Sequence, residues 1–277
     1  MQANFPCNWI HGSSNCGLNQ DPLIQIHQYG PDTFILRQNM CVHFEAPFLY
    51  LLFGDDKVFL QDTGATSAAD RFPLRTTIDR LIAKWLLDHG RASIELIVTH
   101  SHGHGDHVAA DGQFADRPDT TIVPLGTAAV SDFFGITTWP EEIVHFDLAG
   151  RMLDIIPLPG HIADHIAVFD HQTGILLTGD TLYSGNLYVQ DWASYKASIK
   201  RLVDYSRIHR ISHVLGTHIE MTNCAGVAYD FQSTYHPGEH ELQLSVEHLY
   251  ELHRAFTNMG DDPTQQIHDD FVIVPVS

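Results

Sequence analysis

The chain has 277 residues, enough for one large or two small domains with a sizeable buried core, and its 44% hydrophobic and 18% charged content is ordinary for a soluble globular protein. A formal net charge of −19 disfavours a nucleic-acid backbone or an anionic membrane surface as partner. No run reaches the ~18 apolar residues that span a bilayer. The first residues show no basic stretch leading into an apolar one, so no secretory leader and a cytoplasmic location are expected. Cys7, Cys16, Cys41 and Cys224 are widely spaced with no C-x-x-C pair. That favours free thiols in a reducing compartment, with a Cys7–Cys16 bridge as the alternative.

Residues 1–22 are rich in Asn, Gly, Ser and Pro and read as an irregular arm. Leu23 to Tyr29 and Thr33 to Arg37 are β-prone and divided by the turn Gly30-Pro31-Asp32. Phe48 to Phe53 is a buried strand, turned by Gly54-Asp55-Asp56 into Lys57 to Gln61. After Asp62-Thr63-Gly64, the apolar residues Leu74, Ile78, Leu81, Ile82, Trp85 and Leu86 recur at helical spacing, with Gly90 as the stop. Strands follow at 94–99, 120–123, 142–146, 151–158, 165–170 and 175–178, with a short helix at 126–134. Trp192 to Tyr205 reads as a helix and Ile211 to Leu215 as a strand. A long loop over 221–239, a helix from Glu241 to Phe256 and a polar tail complete the chain. No internal repeat, low-complexity segment or linker divides it, so a single domain over 1–277 is expected, with 221–277 as its C-terminal loop and helix.

The densest chemistry lies after the strand ending at Thr99. Four histidines and an aspartate fall within Thr99 to His107, spaced by the small residues Ser101, Gly103 and Gly105. Imidazoles and a carboxylate on such a loop suit zinc or a similar metal. Further donors recur at other strand ends: His161 after Pro159-Gly160, Asp180 after Gly179, and His218 after Gly216-Thr217. Neighbouring strand ends can bring such positions together across long gaps in sequence.

These motifs resemble the metallo-β-lactamase fold superfamily: H-x-H-x-D-H at His102, His104, Asp106 and His107, then Pro-Gly-His, Gly-Asp-Thr and Gly-Thr-His, with Asp62-Thr63-Gly64 upstream. The resemblance covers roughly residues 20–220. It implies an α/β fold, a four-layer αββα sandwich, with a dinuclear metal site along one edge. It also implies that His102, His104 and His161 bind one metal, Asp106, His107 and His218 a second, and that Asp180 bridges them. The cofactors are then two divalent ions, zinc first, with iron or manganese as alternatives. Asp62 either orients the histidine loop or is a turn residue. His100 and His165 read as framework residues.

Tyr183 stands where some lactonases of the superfamily place a tyrosine on the substrate carbonyl; its alternative is packing at a strand end. His236 sits in a loop over 235–240 that either covers the site or caps the next helix. The aromatics Phe133, Phe134, Trp139, Tyr188 and Trp192 either line a pocket or belong to the core. The resemblance implies a hydrolase of an ester, thioester or lactone, with Asp106, Asp180 and Tyr183 as catalytic residues. Phosphoester or β-lactam hydrolysis is an alternative within that class. A mononuclear iron persulfide dioxygenase-like activity is the alternative outside it. The expected partner is a small molecule, with no nucleic acid or membrane; the sequence leaves the assembly open, a homodimer being one option.

Overall fold

The computed structural model describes residues 7–276, so the first six residues of the expected arm lie outside the described residues. One six-stranded sheet takes its strands in chain order: β1 (Ile24–Gly30), β2 (Thr33–Gln38), β3 (Phe48–Phe53), β4 (Lys57–Gln61), β5 (Glu95–Thr99) and β6 (Thr120–Ile122). Pairing is antiparallel up to β4 and parallel beyond it. The helix α1 (Leu74–His89) connects β4 to β5. The single turn α2 (Gly105–Val108) leads towards β6, and α3 (Thr127–Phe134) follows.

The second half supplies β7 (Val144–Asp147), β8 (Met152–Pro157), β9 (Ile166–Asp170), β10 (Ile175–Gly179), β11 (Asn186–Val189), α4 (Trp192–Ser206), β12 (His213–Gly216), β13 (Gln243–Leu244), α5 (Val246–Met259), β14 (Gln266–Ile267) and β15 (Val272–Pro275). The second six-stranded sheet runs β13-β12-β10-β9-β8-β7, and a small third sheet runs β11-β15-β14.

Side-chain alternation along the strands makes the layers. On β3, Phe48, Tyr50 and Leu52 point into a core between the two large sheets, where they meet Leu153, Ile155, Val168, Leu177 and Leu215. Leu49, Leu51 and Phe53 point the other way, onto Leu74, Ile78, Leu81 and Trp85 of α1. The outer face of the second sheet, with Ile156, Phe169 and Leu176, is covered by Tyr195, Ile199 and Leu202 of α4 and Leu249, Leu252 and Phe256 of α5. Helix, sheet, sheet, helix is the expected αββα sandwich. Gly90 ends α1 in the left-handed region at φ 63°, returning its N–H to the Leu86 and Leu87 carbonyls. Among the described residues, no helix is long and apolar enough to cross a membrane.

Three sequence expectations change. The last helix begins at Val246 rather than Glu241, because Ser245 caps it together with His248, and residues 243–244 pair with β12 instead. The tail is not loop: Val272–Pro275 runs parallel to β11 and antiparallel to β14. This short β-branched segment finds its partner more than eighty residues upstream, which local pattern does not show. Finally, Cys16 and Cys41 form a disulfide, leaving Cys7 and Cys224 free. Both the all-thiol expectation and the Cys7–Cys16 pairing are therefore corrected. The arm and the loop after β2 are held together locally, with the Asn39 amide donating to Asn19 and to the Pro22 carbonyl. Bonds of this kind persist in oxidising compartments. Cys41→Ser is expected to cost about 2–4 kcal/mol, the usual effect of opening a loop of this size, read as a lower urea midpoint.

Candidate metal centre

The donors sit at strand ends that the topology places side by side. Parallel β4 and β5 end at Asp62 and at the histidine loop. In the facing sheet, parallel β10 and β12 pair up to Gly179 and Gly216, so Asp180 and His218 emerge together, and His161 follows β8. Gly179 has φ 51°, and a Cβ there would lie 2.7 Å from the His165 ring and 2.8 Å from Ser101. The close approach that brings Asp180 against the histidine loop therefore needs glycine.

All seven predicted donors come together in two groups, His102, His104 and His161 in one, and Asp106, His107, Asp180 and His218 in the other. Asp180 lies between the groups. Its Oδ2 is 3.7 Å from His102 Nε2, 3.6 Å from His161 Nε2 and 3.4 Å from His107 Nε2, and its Oδ1 is 3.4 Å from His218 Nε2. His104 Nδ1 lies 2.9 Å from His102 Nε2 and 3.1 Å from His161 Nε2.

The outer ring atoms are tied to the framework. His161 Nδ1 donates to the Tyr188 carbonyl and His218 Nδ1 to the Glu45 carbonyl. His107 Nδ1 donates to Asp62 Oδ2 at 3.1 Å. Asp62, fully buried, also accepts the Ser101 N–H and hydroxyl, and His102 Nδ1 lies 3.1 Å from that hydroxyl. These contacts select the tautomers whose Nε2 lone pairs face inward. Thr217 donates its hydroxyl to Asp180 Oδ1.

Burial depresses the pKa of His102 far below the ordinary imidazole range and lowers that of His161. Burial acts the same way on His107 and His218, but there the carboxylates win. Asp180, Asp62 and Asp106 hold His107 well above its usual value, and Asp180 and Asp106 raise His218 to about 10. Asp106 and Asp180 stay well below the carboxylate range, burial being overcome by these same imidazoles. The cluster thus calls for positive charge at its centre. His107 Nε2 is buried with Asp106 Oδ2 at 3.2 Å and Asp180 Oδ2 at 3.4 Å but makes no aligned hydrogen bond to either, while its other nitrogen is committed to Asp62. An orphaned buried nitrogen amid imidazoles and carboxylates fits a bound divalent cation, and this donor set suits zinc or a close relative.

The other singled-out residues fall outside the cluster. His100 bonds Asp111, which also holds Thr63, and is framework. His165 accepts the Asp180 backbone N–H. Tyr183 is buried, with its hydroxyl donating to the Asn186 carbonyl at 2.5 Å and lying 3.4 Å from Glu220, so that hydroxyl is spoken for within the framework. Phe134 packs between the sheets with Phe133 and Trp139, whereas Trp192 packs under α5. His236 is stacked on Tyr229 and lines a small cleft with Phe44, Glu45, Ile219 and Glu220, next to His218.

Sequence reasoning passed over Glu45, which lies 173 positions from the histidine its carbonyl orients. Burial raises the Glu45 carboxyl to about 7. Burial, helped by Arg37, lowers His236 to about 4. Between pH 6.5 and 4 the unfolded chain takes up a proton that folded His236 refuses, so stability falls with pH across that window. His236→Gln is expected to flatten the pH dependence of the urea midpoint there; an unchanged slope counts against it.

Residues 45–250 match a family model described as the metallo-beta-lactamase superfamily. A hydroxyacylglutathione hydrolase from Rhizobium meliloti is 31% identical over 152 residues, covering 53% of this chain and 56% of that protein. One from Methylococcus capsulatus is 27% identical over 197 residues, covering 69% and 70%. The chain spans about half the length of the first of these relatives. Among solved structures, a metallo-beta-lactamase from Pontibacter korlensis superposes with a TM-score of 0.54 at 16% identity, covering 85% of this chain and 99% of that one. The mono-zinc form of the metallo-beta-lactamase FIM-1 from Pseudomonas aeruginosa does so with 0.54 at 15%, covering 88% and 99%. At these identities the superpositions speak for the fold.

Proposed function

Because the chain belongs to the metallo-beta-lactamase superfamily, we propose that it is a metal-dependent hydrolase acting on an ester, thioester or lactone carbonyl of a small molecule. The observation that carries this is the position of Asp180, within 3.7 Å of imidazole nitrogens from both donor groups. His102, His104 and His161 would hold one divalent cation and Asp106, His107 and His218 a second, with Asp180 shared. Bound there, such a pair supplies a water ionised near neutral pH and polarises the carbonyl oxygen.

The protein's own contribution is placement. Asp62 and Ser101 keep His107 and His102 in the tautomers that present Nε2. Thr217 fixes the Asp180 carboxylate. Asp106 is the more open carboxylate of the cluster, its side chain 22% exposed against 9% for Asp180, so it is the one that meets incoming water, orients it and holds its proton. A thioester ranks first among the substrates, since relatives named for hydrolysing hydroxyacylglutathione match this chain.

The test is metal analysis of the purified protein, followed by a panel of thioesters, lactones, β-lactams and phosphoesters before and after chelation. Two bound divalent ions, with hydrolysis of an acyl substrate lost on chelation and restored by zinc, is the expected result. A single iron with oxygen uptake, or hydrolysis indifferent to chelation, overturns the proposal.

A further inference from the structure

A second set of donors lies on the outer face of the second sheet, at the end away from the centre just described. His145 of β7 and Asp154 of β8 are direct cross-strand partners. Asp154 pairs with Phe169 of β9, which puts His171, two residues on, at the diagonal position of the same face. Leu153 and Ile155 point into the core between the sheets, so Asp154 points outward, towards α4.

There His145 Nδ1 is 2.5 Å and His171 Nε2 2.9 Å from one oxygen, Asp154 Oδ1. The donor atoms all lie within 4.8 Å of one another. The other oxygen, Oδ2, accepts the Tyr205 hydroxyl from α4. The carboxylate is thereby oriented from behind, as the partners of metal-binding carboxylates usually arrange.

Two neutral imidazoles donating to a carboxylate would satisfy these atoms without any ion. Three features point further. Asp154 is 1% exposed, and its only ion-pair partners among the described residues are the two histidines, with no lysine or arginine beside it. The Oδ1 side opens to solvent through His145 and His171, whose side chains are 67% and 35% exposed, leaving room for water ligands. His145 and Asp154 are fixed by a hydrogen-bonded strand pair, and His171, in the turn just past β9, is tied to it by its backbone N–H donating to the Met152 carbonyl.

We propose that His145, Asp154 and His171 bind one borderline divalent cation, Zn2+ or a close relative, completed by water. The site joins the edge strand β7 to β8 and to the turn after β9 and, through Tyr205, to α4. It rests on no part of the hydrolase reading.

The test uses the full chain, stripped by a chelator and dialysed to equilibrium against free Zn2+, with bound zinc counted by mass spectrometry. The comparison is with His145→Ala, an exposed substitution that leaves the core intact, and with His145→Ala/His171→Ala. Wild type is expected to hold one more equivalent of zinc than either variant, with the same hydrolytic rate in all three. Titrating zinc beyond saturation of the strand-end centre is expected to raise the Tm of wild type only. Equal zinc content in wild type and variants, or a Tm rise shared by His145→Ala, overturns the site whether or not the catalytic reading holds.

Discussion

Replacing Asp180 by Ala is expected to lower turnover by more than about 100-fold and to reduce bound metal in the same preparation, since losing even a group behind a ligand costs about 10–100-fold. Asp180 stands among four imidazoles, and both of its oxygens are engaged. Its removal also leaves His107 and His218 without the carboxylate that does most to offset their burial. Tyr183→Phe is the matching control. Its hydroxyl is occupied by Asn186 and Glu220, so a change in kcat/KM below about threefold is expected if it acts only in packing. A loss for Tyr183→Phe comparable to that for Asp180→Ala would return the tyrosine to the reacting carbonyl.

The largest expected loss of stability lies elsewhere, at Arg151. Its guanidinium is 1% exposed and grips Asp170 with two bonds, Nε to Oδ1 at 3.0 Å and Nη2 to Oδ2 at 2.6 Å. The same group reaches across to the first sheet, donating to the Asp32 and Phe53 carbonyls and to the Thr33 hydroxyl. Arg151→Met keeps the length of the side chain but strands a buried carboxylate and three acceptors. The expected cost is about 3–5 kcal/mol, measured as a fall in the urea midpoint at constant slope. Asp170 also accepts from Gln172 and Thr173, so adding Asp170→Leu recovers only part of it. A cost below about 1 kcal/mol would mean that Arg151 does not couple the two sheets.

What the sequence made legible follows from what each feature depends on. The donor loop, Asp180 and His218 each follow an apolar β-branched run that reads as a strand from local pattern alone, and parallel neighbours bring their ends together. The stripe on α1 and its Gly90 stop are local in the same way. The Cys16–Cys41 pairing depends on how the arm folds back, and spacing does not carry that. The edge pairing of β15 with β11 depends on a distant partner. Tyr183 was ambiguous because its environment is set by Glu220 and Asn186, one of them 37 positions away. Glu45 left no local sign at all, since its part is played by a backbone carbonyl.

The distribution of the donors along the chain has a kinetic side. Four of the seven lie within His102 to His107, but the others come from positions 161, 180 and 218 of the opposite sheet. Contacts so distant in sequence close late in folding, after the two sheets have formed and docked. Cations held across these two donor groups therefore recognise a nearly finished molecule and cannot serve as its template. They are expected to slow unfolding while leaving the refolding rate unchanged, so that metal-loaded protein owes its longevity to the height of the exit barrier.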